Sequence, residues 1–223
     1  MSSLYFNEDH EGIREMAKDF AEKTLAPIAG EIDKTEAFPM DVVKTMADMG
    51  FLGLKIPEEY GGLGLDMRSY VCVMEEIAKK CATATLFISS ANSLSTAPIV
   101  ISGTPEQKEK YLPGFASGEY DGSMDLTEPD AGSDLQSVML RATYSEKDGC
   151  WLLNGVKRFI TNGDSNIHLV LARSEEGTKD GRGLSMFIYD RNQGGVTVRR
   201  IENKMGIKGS PTCELVYKNA KAE

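Results

Sequence analysis

The run Met124-Asp-Leu-Thr-Glu-Pro-Asp-Ala-Gly-Ser-Asp134 holds the residue types best suited to chemistry in this chain. Read physically, it is a strand ending at Thr127, a turn centred on Pro129 and a second turn at Gly132-Ser133. That path would face successive backbone N–H groups and two hydroxyls to one side. Such a concavity binds a phosphate or an electron-rich ring edge. The same residues also read as an ordinary capped turn, with Ser133 or Asp134 opening a short helix.

Other chemistries lack their parts. The chain has no GxGxxG and no GxxxxGK[ST], so neither phosphate-binding motif of the α/β folds applies. It has no GxSxG nucleophile elbow. His10 and His168 stand apart from each other, and Cys72, Cys81, Cys150 and Cys213 form no CxxC, so no metal is expected. The carboxylate pairs Glu58-Glu59 and Glu75-Glu76 are adjacent in sequence, point in different directions and read as surface charge.

Two kinds of element must position these residues. From Asn7, apolar residues recur at helical spacing (Ile13, Met16, Ala17, Phe20, Ala21), with Asn7 as N-cap. A second helix is expected from Pro39 to Gly50, and PEEYGGLG (57–64) is a loop. Residues 66–102, almost uncharged after Lys80, predict one or two helices buried on most sides. Thr104, Pro105 and Gln107 open another helix that ends near Gly114–Gly118. After Tyr120 the pattern turns to short strands: 138–144, 167–173, 184–189, 196–200 and 214–217. Trp151–Ile160 carries an Asn154-Gly155 pair, a strong hairpin signal. The fold class is α+β, an all-α N-terminal domain (1–118) followed by a β-barrel or sandwich (119–223).

With 223 residues the chain can bury a sizeable core, and 41% hydrophobic with 26% charged residues excludes disorder. A formal net charge of −9 argues against sequence-independent nucleic-acid binding. The basic cluster Arg199, Arg200, Lys204 and Lys208 is interrupted by Glu202 and reads as a solvated strand edge. The start lacks signal-peptide character, and no apolar run is seen that nears the ~20 residues of a membrane span. The expected setting is a soluble one, the bacterial cytoplasm or the mitochondrial matrix.

Four segments in order resemble the acyl-CoA dehydrogenase family: Pro57-Glu-Glu-Tyr-Gly-Gly-Leu-Gly64, Thr127-Glu-Pro-Asp-Ala-Gly-Ser-Asp134, Asn154-Gly155 with Phe159-Ile-Thr-Asn-Gly163, and Met205-Gly-Ile-Lys-Gly-Ser-Pro-Thr-Cys-Glu214. The resemblance implies a helical domain, a middle β-barrel and a C-terminal helical bundle, with FAD at the barrel. It implies oxidation of an acyl-CoA at its α–β carbon bond, electron-transfer flavoprotein as partner, a homotetramer and a place in fatty acid metabolism. Met124, Asp125, Leu126 and Thr127 would lie along the flavin. Gly132 and Ser133 would sit at its phosphate chain, with Ser133 also near the acyl-CoA. Phe159 and Ile160 would pack on the ring, unless they are simply barrel core, and the Thr161 hydroxyl would bond flavin N5.

Three departures accompany the resemblance. Phe159 stands where many members have Trp. Asp125 replaces a small or apolar residue, which leaves it either exposed at a domain interface or influencing substrate choice. The family's glutamate base belongs to the C-terminal bundle, which this sequence does not include, so no base is assigned and the chain reads as a fragment, inactive by itself. Loss of that bundle would bare apolar surface between Cys81 and Ile101. A non-catalytic acyl-CoA- or flavin-binding module and an oxygen-using acyl-CoA oxidase remain as alternatives.

Overall fold

A computed structural model describes residues 5–223 and divides them into two compact units. One runs up to Tyr120 and also takes Lys204–Ser210; the other comprises Asp121–Asn203 and Pro211–Glu223.

Helices build the first unit: α1 (Glu8–Phe20), α2 (Ala29–Thr35), α3 (Met40–Asp48), α4 (Met67–Ala78), α5 (Ala82–Ser89), α6 (Ala97–Ser102) and α7 (Pro105–Ser117). Asn7 caps α1 as its sequence suggests, and the N3 residue His10 returns a bond to the Asn7 N–H. Thr104 and Gln107 close the same reciprocal box on α7, which Gly118 ends in the left-handed conformation (φ 75°). Phe20, Leu25, Val43, Met46, Phe51, Val73, Ile77 and Ile88 fill the core. The loop at 57–64 is tight because Gly62 packs on Ile56, whose carbonyl oxygen would lie 2.0 Å from an added Cβ.

The apolar stretch 66–102 resolves into α4, a break at Lys79–Cys81, and a helical run over Ala82–Ser102 that includes a π-helical turn at Ser90–Leu94. That run is 21 residues long and apolar enough by length and composition to cross a membrane, contrary to the expectation that no stretch nears a span. Here 44% of its most apolar 18-residue window is buried, with Ser90, Asn92, Ser95 and Thr96 inside among apolar neighbours. Asn92 shows how such polarity is accommodated. Its amide donates to the Phe51 and Ile88 carbonyls and accepts from the Lys55 N–H. Between Cys81 and Ile101, Ile101 is exposed while Leu86, Phe87, Leu94 and Val100 are half-buried.

The second unit is a seven-stranded sheet: β1 (Gly122–Asp125), β2 (Arg141–Ser145), β3 (Cys150–Thr161), β4 (Ile167–Arg173), β5 (Leu184–Asp190), β6 (Val196–Ile201) and β7 (Thr212–Ala222). Pairing runs β1-β4-β2-β3-β7-β5; β6 adds to β7, and β4 also pairs with β5. The links β2–β4 and β5–β7 each rest on one residue pair. Leu140, Leu153, Ile160, Val170, Phe187, Tyr189, Leu215 and Tyr217 form the core. The chain's single tryptophan, Trp151, packs against Phe187 (centroids 5.3 Å apart) and Tyr144 (5.5 Å).

Asn154-Gly155 makes no hairpin. It lies inside the continuous β3, at an irregularity where Leu153 pairs with Ala220 and Gly155 with Tyr217. Gly155 has φ 148°, and a Cβ there would lie 2.9 Å from the Leu140 Cα, so the position needs glycine for close approach. The turn leading into β3 is instead made around Asp148-Gly149, with Gly149 at φ 64°.

Candidate functional site

β1 ends at Asp125, two residues before Thr127, and the chain leaves it as an irregular segment held from below. The hold comes from β3. Lys157 Nζ donates to the Leu126 carbonyl (2.8 Å) and to Glu128 Oε1 (2.9 Å), and the Arg158 N–H donates to the Thr127 carbonyl (2.9 Å). Glu128 also accepts the N–H groups of Met139 (2.7 Å) and Leu140 (2.9 Å). Glu128 and Ala131 bond each other across the Pro129-Asp130 turn. Lys157 is 0% exposed and Glu128 7%, so this is a buried, hydrogen-bonded ion pair. Burial pushes the Lys157 ammonium below its usual range, and the bond and charge of Glu128 push back.

With both carbonyls engaged, the N–H groups of Leu126 and Thr127 enter no hydrogen bond among the described residues. Met124, Leu126 and Thr127 are half-buried, and Gly132 and Ser133 are exposed on the turn that follows. Asp134 precedes a single 3-10 turn, Leu135–Ser137, but its carboxylate accepts from the Ser137 hydroxyl and caps no backbone N–H, so the short helix of the capped-turn reading forms without its side-chain cap.

The other half of the site lies on β3. Register slips between Lys157 and Ile160, and Phe159 occupies the slip with φ 61°. A bulky residue in the left-handed region is strained, and such strain gathers at functional sites. The distortion aims the ring outward: Phe159 is 53% exposed, with the Arg158 guanidinium 4.8 Å from its centroid. Ile160 turns the opposite way into the sheet core, at 2% exposure. Thr161 pairs with Thr212 at the strand end and is half-buried.

Asp125 sits neither at an exposed interface nor at the surface. Its carboxylate, 0% exposed, accepts from Ser123 Oγ (2.6 Å), from His168 Nδ1 (2.9 Å) and from the Tyr217 hydroxyl. His168 Nε2 faces the Ser165 carbonyl at 3.0 Å. Both ring nitrogens of His168 thus meet buried oxygen partners. Burial pushes the Asp125 carboxyl up, but the charge of His168 and the three donors outweigh it, holding the carboxyl below its ordinary value. Burial and the Asp125 charge raise the Tyr217 hydroxyl well above its usual range.

The structure thus brings Leu126, Thr127, Lys157, Arg158 and Phe159 together, with the side chains of Asp125 and Ile160 turned inward. Sequence reasoning missed Lys157, Glu128 and the partner of His168. One signal was available: Lys157 shares strand parity with buried Leu153, so a lysine falls on an inward face.

Two family profiles together span most of the chain. Residues 7–119 match the profile of the acyl-CoA dehydrogenase N-terminal domain, and residues 123–220 that of the acyl-CoA dehydrogenase middle domain. The chain belongs to the acyl-CoA dehydrogenase family. It is 44% identical to a 3-(aryl)acrylate reductase of Clostridium sporogenes over 98% of this chain and 57% of the relative. An acyl-CoA dehydrogenase of Bacillus subtilis is 41% identical over 97% and 57%. The caffeyl-CoA reductase-Etf complex subunit CarC of Acetobacterium woodii is 39% identical over 98% and 57%.

Among solved structures, butyryl-CoA dehydrogenase of Megasphaera elsdenii superposes with a TM-score of 0.92 at 35% identity, over 99% of this chain and 58% of that one. A Bacillus anthracis acyl-CoA dehydrogenase complexed with FAD gives 0.89 at 30% identity, over 100% and 37%. This chain spans a little over half the length of the curated relatives named here.

The donor set suits a flavin. Neutral N–H groups at Leu126 and Thr127, hydroxyls at Thr127, Ser133 and Thr161, and an outward aromatic face fit a polar, flat ring better than they fit a metal ion.

Proposed function

We propose that this chain is the flavin- and thioester-positioning part of an FAD-dependent acyl-CoA dehydrogenase. The observation that carries the reading is the pair of undonated N–H groups at Leu126 and Thr127, fixed by Lys157 and Arg158 beside an outward, strained Phe159. FAD would supply the hydride acceptor for α,β-dehydrogenation of an acyl-CoA. The residues supply orientation and charge. Thr127, through its N–H and hydroxyl, would donate to the pyrimidine side of the ring, where pre-set donors stabilise developing negative charge. The Thr161 hydroxyl would donate at N5, and Phe159 would cover the ring and exclude water. Gly132 and Ser133 would bind the phosphate chain, with Ser133 reaching the thioester. Met124, Asp125 and Ile160 would contribute backbone and packing, since the last two side chains face inward.

The pairing β4-β2-β3-β7-β5, which returns to β4, supports reading the sheet as the family's middle β-barrel, with the helical domain over residues 1–118 and the sheet domain over 119–223. The α-proton base is assigned to no residue here; in the family it belongs to the C-terminal domain. Electron-transfer flavoprotein as partner is supported by the Etf-complex relative, and a homotetramer by the family alone. Two relatives are named as reductases, which favours a second reading in which the same groups serve enoyl-thioester reduction.

The test is visible absorption of the full-length protein after FAD addition and gel filtration. Retained flavin that bleaches with one member of an acyl-CoA panel supports the proposal. Well-folded protein that keeps no flavin defeats it.

A further inference from the structure

Two features beneath the Thr-Glu-Pro turn are unusual for a purely structural clamp. Thr127 O is already tied by the Arg158 N–H, and Glu128 is already satisfied by the N–H groups of Met139 and Leu140. The turn therefore keeps three hydrogen bonds that need no ammonium. Yet a lysine is buried to 0% exposure and its ammonium bonds the carbonyl of Leu126. Burying a charge has a large desolvation cost. The bonded carbonyl belongs to the same conjugated amide as the Thr127 N–H. Donation to that oxygen polarises the amide and strengthens its N–H as a donor, more so in a low-dielectric surrounding.

We propose that Lys157 is a positioning and electrostatic residue that acts on the bound flavin through the Leu126–Thr127 peptide, favouring the reduced, more negative ring. The inference rests on the flavin reading above and extends it to a residue that touches neither cofactor nor substrate. Glu128 opposes the effect. Its carboxylate, 2.9 Å from the ammonium, cancels part of the positive field at the peptide. The pair therefore sets a balance, and its two halves push the flavin in opposite directions.

The measurement is the midpoint potential of FAD bound to full-length protein, reduced enzymatically beside a reference dye, with the visible spectrum recorded throughout. Lys157→Met is expected to weaken reduced relative to oxidised flavin about tenfold, a fall of about 30 mV for a two-electron couple. Measured toward the acid end of the enzyme's range, where Lys157 keeps its proton without the carboxylate beside it, Glu128→Gln is expected to raise the potential, since the ammonium is no longer offset. The second variant keeps the inference testable if the first does not fold. A clamp that only held the turn would loosen in both variants, giving no shift or shifts of one sign, and either result would overturn the proposal. Wild-type protein that binds no FAD would overturn the flavin reading and this inference with it, whereas loaded variants with an unchanged potential would overturn the inference alone.

Discussion

Asp125 is a full negative charge with no exposed surface, tolerable because Ser123, Tyr217 and His168 supply its hydrogen bonds. Its folded pKa lies below the unfolded value of about 3.9. Its stabilising contribution is therefore complete above about pH 4 and disappears as pH falls through the lower folded value. Asp125→Asn is expected to destabilise the sheet unit by roughly 1–3 kcal/mol, because the buried groups of Ser123, His168 and Tyr217 lose their shared carboxylate acceptor. The variant should also lose part of the acid dependence of stability. Denaturant melts of both proteins between pH 3 and 7 check this; parallel pH profiles would refute it.

Phe159 gives a second case at this scale. Glycine at φ 61° relieves strain of roughly 1–2 kcal/mol and adds unfolded-chain entropy of about the same size. Phe159→Gly should therefore change stability by less than about 1 kcal/mol while lowering FAD affinity at least tenfold, read by fluorescence titration. The motif around Thr127 was legible in the sequence because its residues are adjacent. Lys157, Glu128 and His168 were not, because their partners lie about 30 to 45 residues away and depend on strand register.

The helix termini could be read directly, since capping is local: Asn7 and Thr104 with Gln107 close their own first turns. Removing such a cap, as in Thr104→Ala, should cost about 1 kcal/mol in the helical unit. Strand content was also readable, but Asn154-Gly155 misled because a dipeptide's turn preference yields to register imposed by β7 on one side and Leu140 on the other. The two glycines Gly155 and Gly12 separate these cases. Gly155→Ala would meet the Leu140 backbone at 2.9 Å with φ 148° and should cost about 2 kcal/mol or more. Gly12→Ala lies on an open face of α1 with nothing within 4 Å and should gain about 0.5–1 kcal/mol. Equal effects on the urea midpoint would contradict the placement of both.

For the whole molecule, the single tryptophan is a reporter for one unit. Trp151 lies in the sheet core, whereas most far-ultraviolet ellipticity comes from the seven helices of the other unit. Tryptophan emission and ellipticity at 222 nm are expected to follow separate denaturation curves. Superimposed curves would mean that the units melt as one. Arg199 and Arg200 lie exposed on β6, which among the described residues pairs only with β7, as a solvated strand edge does, and each member of the basic cluster has a partner. Arg199 pairs with Glu214, Arg200 with Glu202, Lys208 with Glu36, and Lys204 bonds the Ser210 carbonyl.

Those last two lysines belong to the excursion Lys204–Ser210, which leaves the sheet's sequence to join the helical unit. Lys208 donates its N–H to Asp33, and Gly209 comes so near Ile32 that a Cβ would lie 2.5 Å from its Cγ2. The gene for the helical unit is thus not contiguous. A chimaera with a relative joined at Tyr120/Asp121 would set a foreign loop against Ile32, Asp33 and Glu36. A three-junction exchange that also moves 204–210 would keep these contacts matched and should yield the better-expressed recombinants.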